Sequence, residues 1–248
     1  MDYHNSTVIG RLLAEVSWQG NKVKQYRNGG RGLENVLTAE TILALDLLPR
    51  SWFLGGIFKN LNGTAQQVKE NLVAEAENLN ITFLSDHIYL DRSASHEKGI
   101  AVDADVVLTS DKIYAFIEAK RIRENRFQVE QLAREYLVLT RDAFDRTPAF
   151  ILFLSRNPPI KVDKLGYVEP REAILKTIDE VYKKVDKHPV TLDKLKQNID
   201  ATLLWISWQE IANIVEKQIS DFECNNQSVY LSIHRICKLL QRAIIWHS

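Results

Sequence analysis

Hydrophobic positions first fall into a helical rhythm along "ENVLTAETILALDLLP", residues 34–49. Val36, Leu37, Ile42, Leu43, Leu45 and Leu48 make one broad apolar face, and Pro49 closes the helix. Ahead of it, "QGNKVKQYRNGGRG" is basic, glycine-bearing and loop-like. "TAQQVKENLVAEAENLN", 64–80, predicts a second, more polar helix. The rhythm then shortens to that of strands in "ITFLSDHIYL" (81–90), "IAVDADVVL" (100–108) and "IYAFIEA" (113–119). The polar stretch "RSASHEKG" separates the first two, and "TSDK" joins the last two as a hairpin.

A helix near 127–141, "FQVEQLAREYLVLTR", precedes "AFILFLS" (149–155). Seven residues without a charge there predict a strand buried on both faces. A lysine-rich helix over about 170–187, a strand "ATLLWISW" (201–208), a helix "QEIANIVEKQI" and an amphipathic helix over 228–245 complete the chain. The order predicts an α/β fold: a central mixed sheet of about five strands flanked by helices, with a helical C-terminal extension. Residues 1–248 read as a single domain, with its core over about 30–210 and the C-terminal helices over about 209–248.

Composition narrows the class. The 248 residues carry 32 basic and 32 acidic side chains, so a strongly basic nucleic-acid binder is not indicated by net charge, although a local patch remains open. Two cysteines, Cys224 and Cys237, are too few for a disulfide framework or a cysteine zinc site and fit a reducing compartment. The opening residues lack a signal-peptide pattern, and no apolar run approaches the ~20 residues of a membrane span. The expectation is a cytoplasmic protein with no membrane partner.

The chemistry concentrates on the predicted hairpin. Residues two apart on a strand face the same way, so Glu118 and Lys120 share a face with Tyr114 and Phe116. On the preceding strand Asp103 and Asp105 have matching parity. With the turn centred on Ser110 and Asp111, Asp105 lies opposite Phe116 and Asp103 opposite Glu118, and either aspartate reaches Glu118. Carboxylates gathered on an apolar hairpin repel one another and resist burial, and a hard cation such as Mg²⁺ removes that penalty. An ammonium beside it can orient an attacking water or offset charge on a phosphate.

"DVVLTSDKIYAFIEAK", 105–120, resembles the signature of the PD-(D/E)xK nuclease superfamily: an aspartate leading an apolar strand, a turn, and a strand ending in Glu-x-Lys. Twelve residues separate Asp105 from Glu118, and Ala104 stands where the signature has proline. The resemblance covers roughly residues 30–155 and implies a restriction-endonuclease-like core, with Asp105 and Glu118 as ligands of Mg²⁺ or Mn²⁺ and Lys120 as the catalytic lysine. Asp103 competes with Asp105. Many members add an acid on the first core helix, for which Glu34 is the candidate and Glu40 the alternative. Some add a glutamine and a tyrosine on the helix after the lysine. "QVEQLAREY" offers Gln128, Gln131 and Tyr136, but Gln131 and Tyr136 are five apart rather than four.

The implied activity is metal-dependent hydrolysis of DNA phosphodiesters, in restriction, repair, a mobile element or phage defence. The other reading is a catalytically silent nucleic-acid-binding or assembly module that keeps the fold. Arg121, Arg123 and Arg126 beside the site, with Arg31 upstream and Gln131 on the helix, are the candidates for contact with DNA phosphates. Trp205 and Trp208 are expected in the core and His234 as a structural residue. The last helix either packs on the core or forms a homodimer contact, and further protein partners stay open.

Overall fold

A computed structural model describes residues 32–83, 88–90, 100–120 and 126–247, the side chains of 32–35, 246 and 247 excepted. Among the described residues the chain opens with helix α1 (Gly32–Leu47), followed by α2 (Phe53–Lys59) and α3 (Gln66–Glu75). Strands β1 (Asn80–Phe83), β2 (Ile88–Leu90), β3 (Ile100–Val102), β4 (Val106–Thr109), β5 (Ile113–Ala119) and β6 (Arg126–Phe127) come next. Then follow α4 (Gln131–Asp142), β7 (Thr147–Leu154), β8 (Ile160–Val162), β9 (Gly166–Val168), α5 (Pro170–Lys184) and α6 (Leu192–Asn198). The chain closes with β10 (Leu203–Ser207), α7 (Trp208–Ser220) and α8 (Gln227–His247).

The central sheet has five strands in the order β1-β4-β5-β7-β10. β1, β4 and β5 pair antiparallel, while β5, β7 and β10 run parallel. The sheet is therefore mixed, as the pattern predicts. β5 is buried at every position and β7 over its last six, which is what a strand covered on both faces requires. One face carries Val106, Leu108, Ala115, Ile117, Ile151, Phe153 and Ile206, and packs against α1, α2, α3, α7 and α8. The opposite face carries Val107, Tyr114, Phe116, Phe150 and Leu152 beneath α4, α5 and α6.

Two predicted strands each split. Residues 81–90 give β1 in the central sheet and β2 in a separate two-stranded ribbon with β3, and residues 100–108 give β3 and β4. A third sheet, β6-β8-β9, is not anticipated by the pattern at all. The C-terminal helix packs on the core through Ile233, Cys237, Leu240 and Ile244. Trp208 is buried and Trp205 packs against the core, as expected. No helix among the described residues is long and apolar enough to cross a membrane.

Candidate active site at the carboxyl end of β5

Register places the acids. β4 and β5 pair Val106 with Ile117 and Val107 with Phe116, out to Thr109 with Tyr114. The turn is thus centred on Asp111 and Lys112, not on Ser110 and Asp111. The Ser110 hydroxyl accepts the amides of Lys112 and Ile113, and the Ser110 amide donates to the Ile113 carbonyl at 2.9 Å. These bonds fix the tip one residue later than the sequence suggests. The register slides by two and parity is kept, so Asp105 rather than Asp103 continues the ladder opposite Glu118.

Asp105 sits just before β4 and is half-buried, while Asp103 is exposed. The Asp105 carboxylate accepts the Ala119 amide at 2.8 Å. A side chain thereby takes over the ladder where β4 has not yet begun, and it holds Asp105 against the end of β5. On the other side the Lys120 amide donates to the Phe153 carbonyl of β7 at 2.8 Å.

Glu118 and Lys120 are 3% and 8% exposed and form an ion pair through Glu118 Oε1. Gln131, in the first turn of α4, donates its side-chain amide to the same oxygen at 2.5 Å. The Lys120 ammonium lies 5.0 Å from the ring centroid of Phe127, a cation–π contact that steadies it from the opposite side. The Trp208 indole donates to the Lys120 carbonyl at 2.6 Å. Its ring packs edge-on against Phe153, at 5.3 Å between centroids. Lys120 is thus fixed at its amide, its carbonyl and its ammonium by β7, α7, β5 and β6.

Sequence reasoning missed Glu135. It lies one helical turn beyond Gln131 on the sheet-facing side of α4, and is 3% exposed. Its Oε2 is buried without a hydrogen-bond partner. Burial, then the nearby Glu118 charge, push its carboxyl well above the usual carboxylate range; Asp105 adds to this, while Lys120 and Gln131 act against it. The signal available beforehand was spacing: Gln131 and Glu135 are four apart. Tyr136 turns away, and its hydroxyl donates to the Leu195 carbonyl at 2.8 Å.

The remaining predicted residues divide. Arg126 is exposed on β6 and pairs with Asp163 at 2.5 Å. Gln128 accepts from Arg134 at 3.2 Å on the surface. Glu40 is exposed in a groove between α1 and α8, with Leu43, Leu47, Leu239 and Arg242, on the far face of the sheet from Glu118. The Glu34 backbone begins α1, and its side chain lies outside the described residues, as do Arg31, Arg121 and Arg123.

A hard divalent cation suits what is present. Two carboxylates of matching parity, Asp105 and Glu118, meet at one strand end, and Mg²⁺ typically takes one or two carboxylates with waters and substrate phosphate completing its shell. No group of three or more histidine, cysteine or acidic side chains among the described residues is arranged to hold an ion by protein ligands alone. The unpartnered Glu135 oxygen is a further buried acceptor close to Glu118. Compared with known families, curated proteins and solved structures, the chain matches none.

Proposed function

We propose that the chain is a metal-dependent nuclease that hydrolyses DNA phosphodiester bonds, built on a restriction-endonuclease-like core. The observation that carries this reading is the convergence of Asp105, Glu118 and Lys120 at the carboxyl end of β5, with Gln131 bonded to Glu118. Crevices beyond the carboxyl ends of parallel strands are where open α/β sheets place their ligands.

Asp105 and Glu118 would hold Mg²⁺ or Mn²⁺, which when bound supplies an activated water and offsets charge on the phosphate. Gln131 orients the Glu118 carboxylate by its hydrogen bond. Lys120 holds a positive charge where the scissile phosphate gathers negative charge, and its fixed backbone means that this charge needs little reorganisation during reaction. Phe127 shields the ammonium from water on one side, which strengthens its interactions.

The test is single-turnover cleavage of plasmid and linear DNA with Mg²⁺, Mn²⁺ or EDTA. Lys120→Ala should bind DNA with a modest loss and cleave slower by about two orders of magnitude or more, the scale of removing one preorganised electrostatic group. Lys120→Arg should not restore the rate, because a guanidinium is broad and planar where an ammonium is compact. Cleavage by Lys120→Ala at the wild-type rate sinks the mechanism.

A second reading has one observation in its favour. Glu118 and Lys120 pair with each other and are nearly fully buried, which is also how a structural ion pair behaves. A silent nucleic-acid-binding module would bind DNA and leave it intact under every metal condition.

A further inference from the structure

The small β6-β8-β9 sheet presents two unlike faces. Phe127, Ile160, Val162 and Val168 point inward and are buried in the cluster under α4 and α5. The alternate residues Arg126, Lys161 and Tyr167 are all exposed. Pairing aligns them in one row: Arg126 lies opposite Lys161, and Lys161 opposite Tyr167. Tyr167 is 59% exposed, and the Arg156 guanidinium lies 5.5 Å from its ring centroid. Lys164, at the exposed tip of the β8–β9 hairpin, adds a further positive charge.

This row is costly to the fold. Like charges directly opposite on neighbouring strands destabilise a sheet, and an exposed tyrosine forgoes burial. Asp163 pairs with Arg126, Arg156 and Lys161 stand beside the open aromatic ring, and Lys164 sits at the hairpin tip. The platform is firmly seated. The Asp163 amide donates to the Phe127 carbonyl at 2.9 Å, and the Leu165 amide to the Val162 carbonyl at 3.1 Å. Gly166, at φ 77°, lets the turn close. The sheet backs on to the candidate active site, since Phe127, the inward-facing neighbour of Arg126, lies 5.0 Å from the Lys120 ammonium.

We propose that the outer face of the β6-β8-β9 sheet binds single-stranded DNA, with Tyr167 stacking on an unpaired base and Arg126, Arg156, Lys161 and Lys164 meeting the phosphates. Cations along a row suit a phosphate backbone, and an accessible aromatic ring among them suits a base that is free to leave a duplex stack. The inference deepens the nuclease reading, on which it rests for the direction of the strand: toward Lys120. It gives that site a substrate class, DNA with an unpaired stretch next to the bond to be cut.

The experiment is fluorescence anisotropy in EDTA with a labelled single-stranded DNA, its duplex and the same sequence as RNA. Wild-type protein should bind the single-stranded DNA tightest. Tyr167→Ala should weaken that binding about tenfold, the scale of removing one stacked base, and leave duplex binding nearly unchanged. Tyr167→Phe should bind within about twofold of wild type, because the ring remains. Lys161→Glu should weaken binding and flatten its salt dependence. Circular dichroism melts should match wild type for both Tyr167 variants, since that side chain is exposed, and Lys161→Glu should melt no lower than wild type, since it sets an opposite charge across from Arg126.

Wild-type affinity in Tyr167→Ala, equal losses for single strand and duplex, or tighter Tyr167-dependent binding of RNA would each overturn the proposal. Binding in EDTA involves no cleavage, so the two readings fail separately. A protein that binds single strands through Tyr167 but never cuts refutes only the nuclease reading. One that cuts through Lys120 and ignores Tyr167 refutes only this one.

Discussion

Replacing Glu135 by glutamine should stabilise the protein at neutral pH and do nothing at acid pH. The side chain is 3% exposed, its Oε2 has no hydrogen-bond partner, and Glu118 and Asp105 lie close enough to oppose its ionisation. In the unfolded chain this carboxyl ionises near the ordinary value of 4.5, whereas burial holds it well above that in the folded chain. A folded-state value raised above the unfolded one stabilises fully below the unfolded value, and that contribution is lost as pH rises toward the folded value. Glutamine keeps the shape and carries no charge at any pH, so it escapes the loss.

The gain at neutral pH should be on the order of 1–3 kcal/mol, since each unit by which the folded value exceeds the unfolded one costs about 1.4 kcal/mol once the carboxyl must ionise. For a chain of 248 residues each kcal/mol moves Tm by about 2–4 °C, so the expected rise is roughly 2–12 °C. The assay is thermal and urea unfolding of both proteins in EDTA from pH 4.5 to 8. The gap should close toward the acid end and open with rising pH. A gap independent of pH, or a glutamine variant less stable throughout, would refute the reasoning, because either outcome means that Glu135 is a well-satisfied structural acid.

Three further outcomes follow from the same site. Millimolar Mn²⁺ should raise the Tm of wild type and move Glu118→Ala less, by mass action on the folded state; no shift in wild type, with or without DNA, would remove the cation from the site. Charge reversal of Arg121, Arg123 and Arg126 together should flatten the salt dependence of duplex binding by about 0.9 in log–log slope for each phosphate no longer neutralised, read by anisotropy across a salt series. Trp208→Phe keeps a ring but removes the donor to the Lys120 carbonyl, so it should cost about 1–3 kcal/mol in urea unfolding; an unchanged midpoint would show that the carbonyl finds another partner.

The central sheet was legible because its strands are long and their surroundings uniform. β7 contains the unbroken apolar run 149–154, and a run of that kind has few places to go except between two layers of helices. The third sheet escaped for the opposite reason. β6 has two residues, and β8 and β9 have three each, so no period can establish itself over them. The prolines at 158 and 159 and the glycine at 166 also punctuate this stretch as loop. Only the partner strands give "IKV" its alternation of buried and exposed positions and turn Val168 of "GYV" inward.

The active-site candidates show the same division between local and tertiary information. Glu118 and Lys120 could be paired from sequence because a strand's period of two is local. The choice between Asp103 and Asp105 depended on the turn, and the Ser110 hydroxyl set the turn through bonds that composition does not reveal. Glu135 was the hardest to see. On an amphipathic helix an acid belongs by default to the solvated face, and in "QLAREY" only the four-residue spacing from Gln131 points the other way. Its burial follows from α4 lying across β5 and β7, a tertiary placement. An acid that is costly to bury beside another acid persists in a fold only if something compensates for it. Lys120 and Gln131 offset part of that cost for Glu135. If a cation held by Asp105 and Glu118 supplies the rest, as the proposed function has it, the Glu135 titration and the Mn²⁺ shift should answer to each other. Bound Mn²⁺ should lower the pH at which Glu135 ionises and so narrow the stability gap between wild type and Glu135→Gln at neutral pH. A gap of the same size with and without Mn²⁺ would separate Glu135 from the metal altogether.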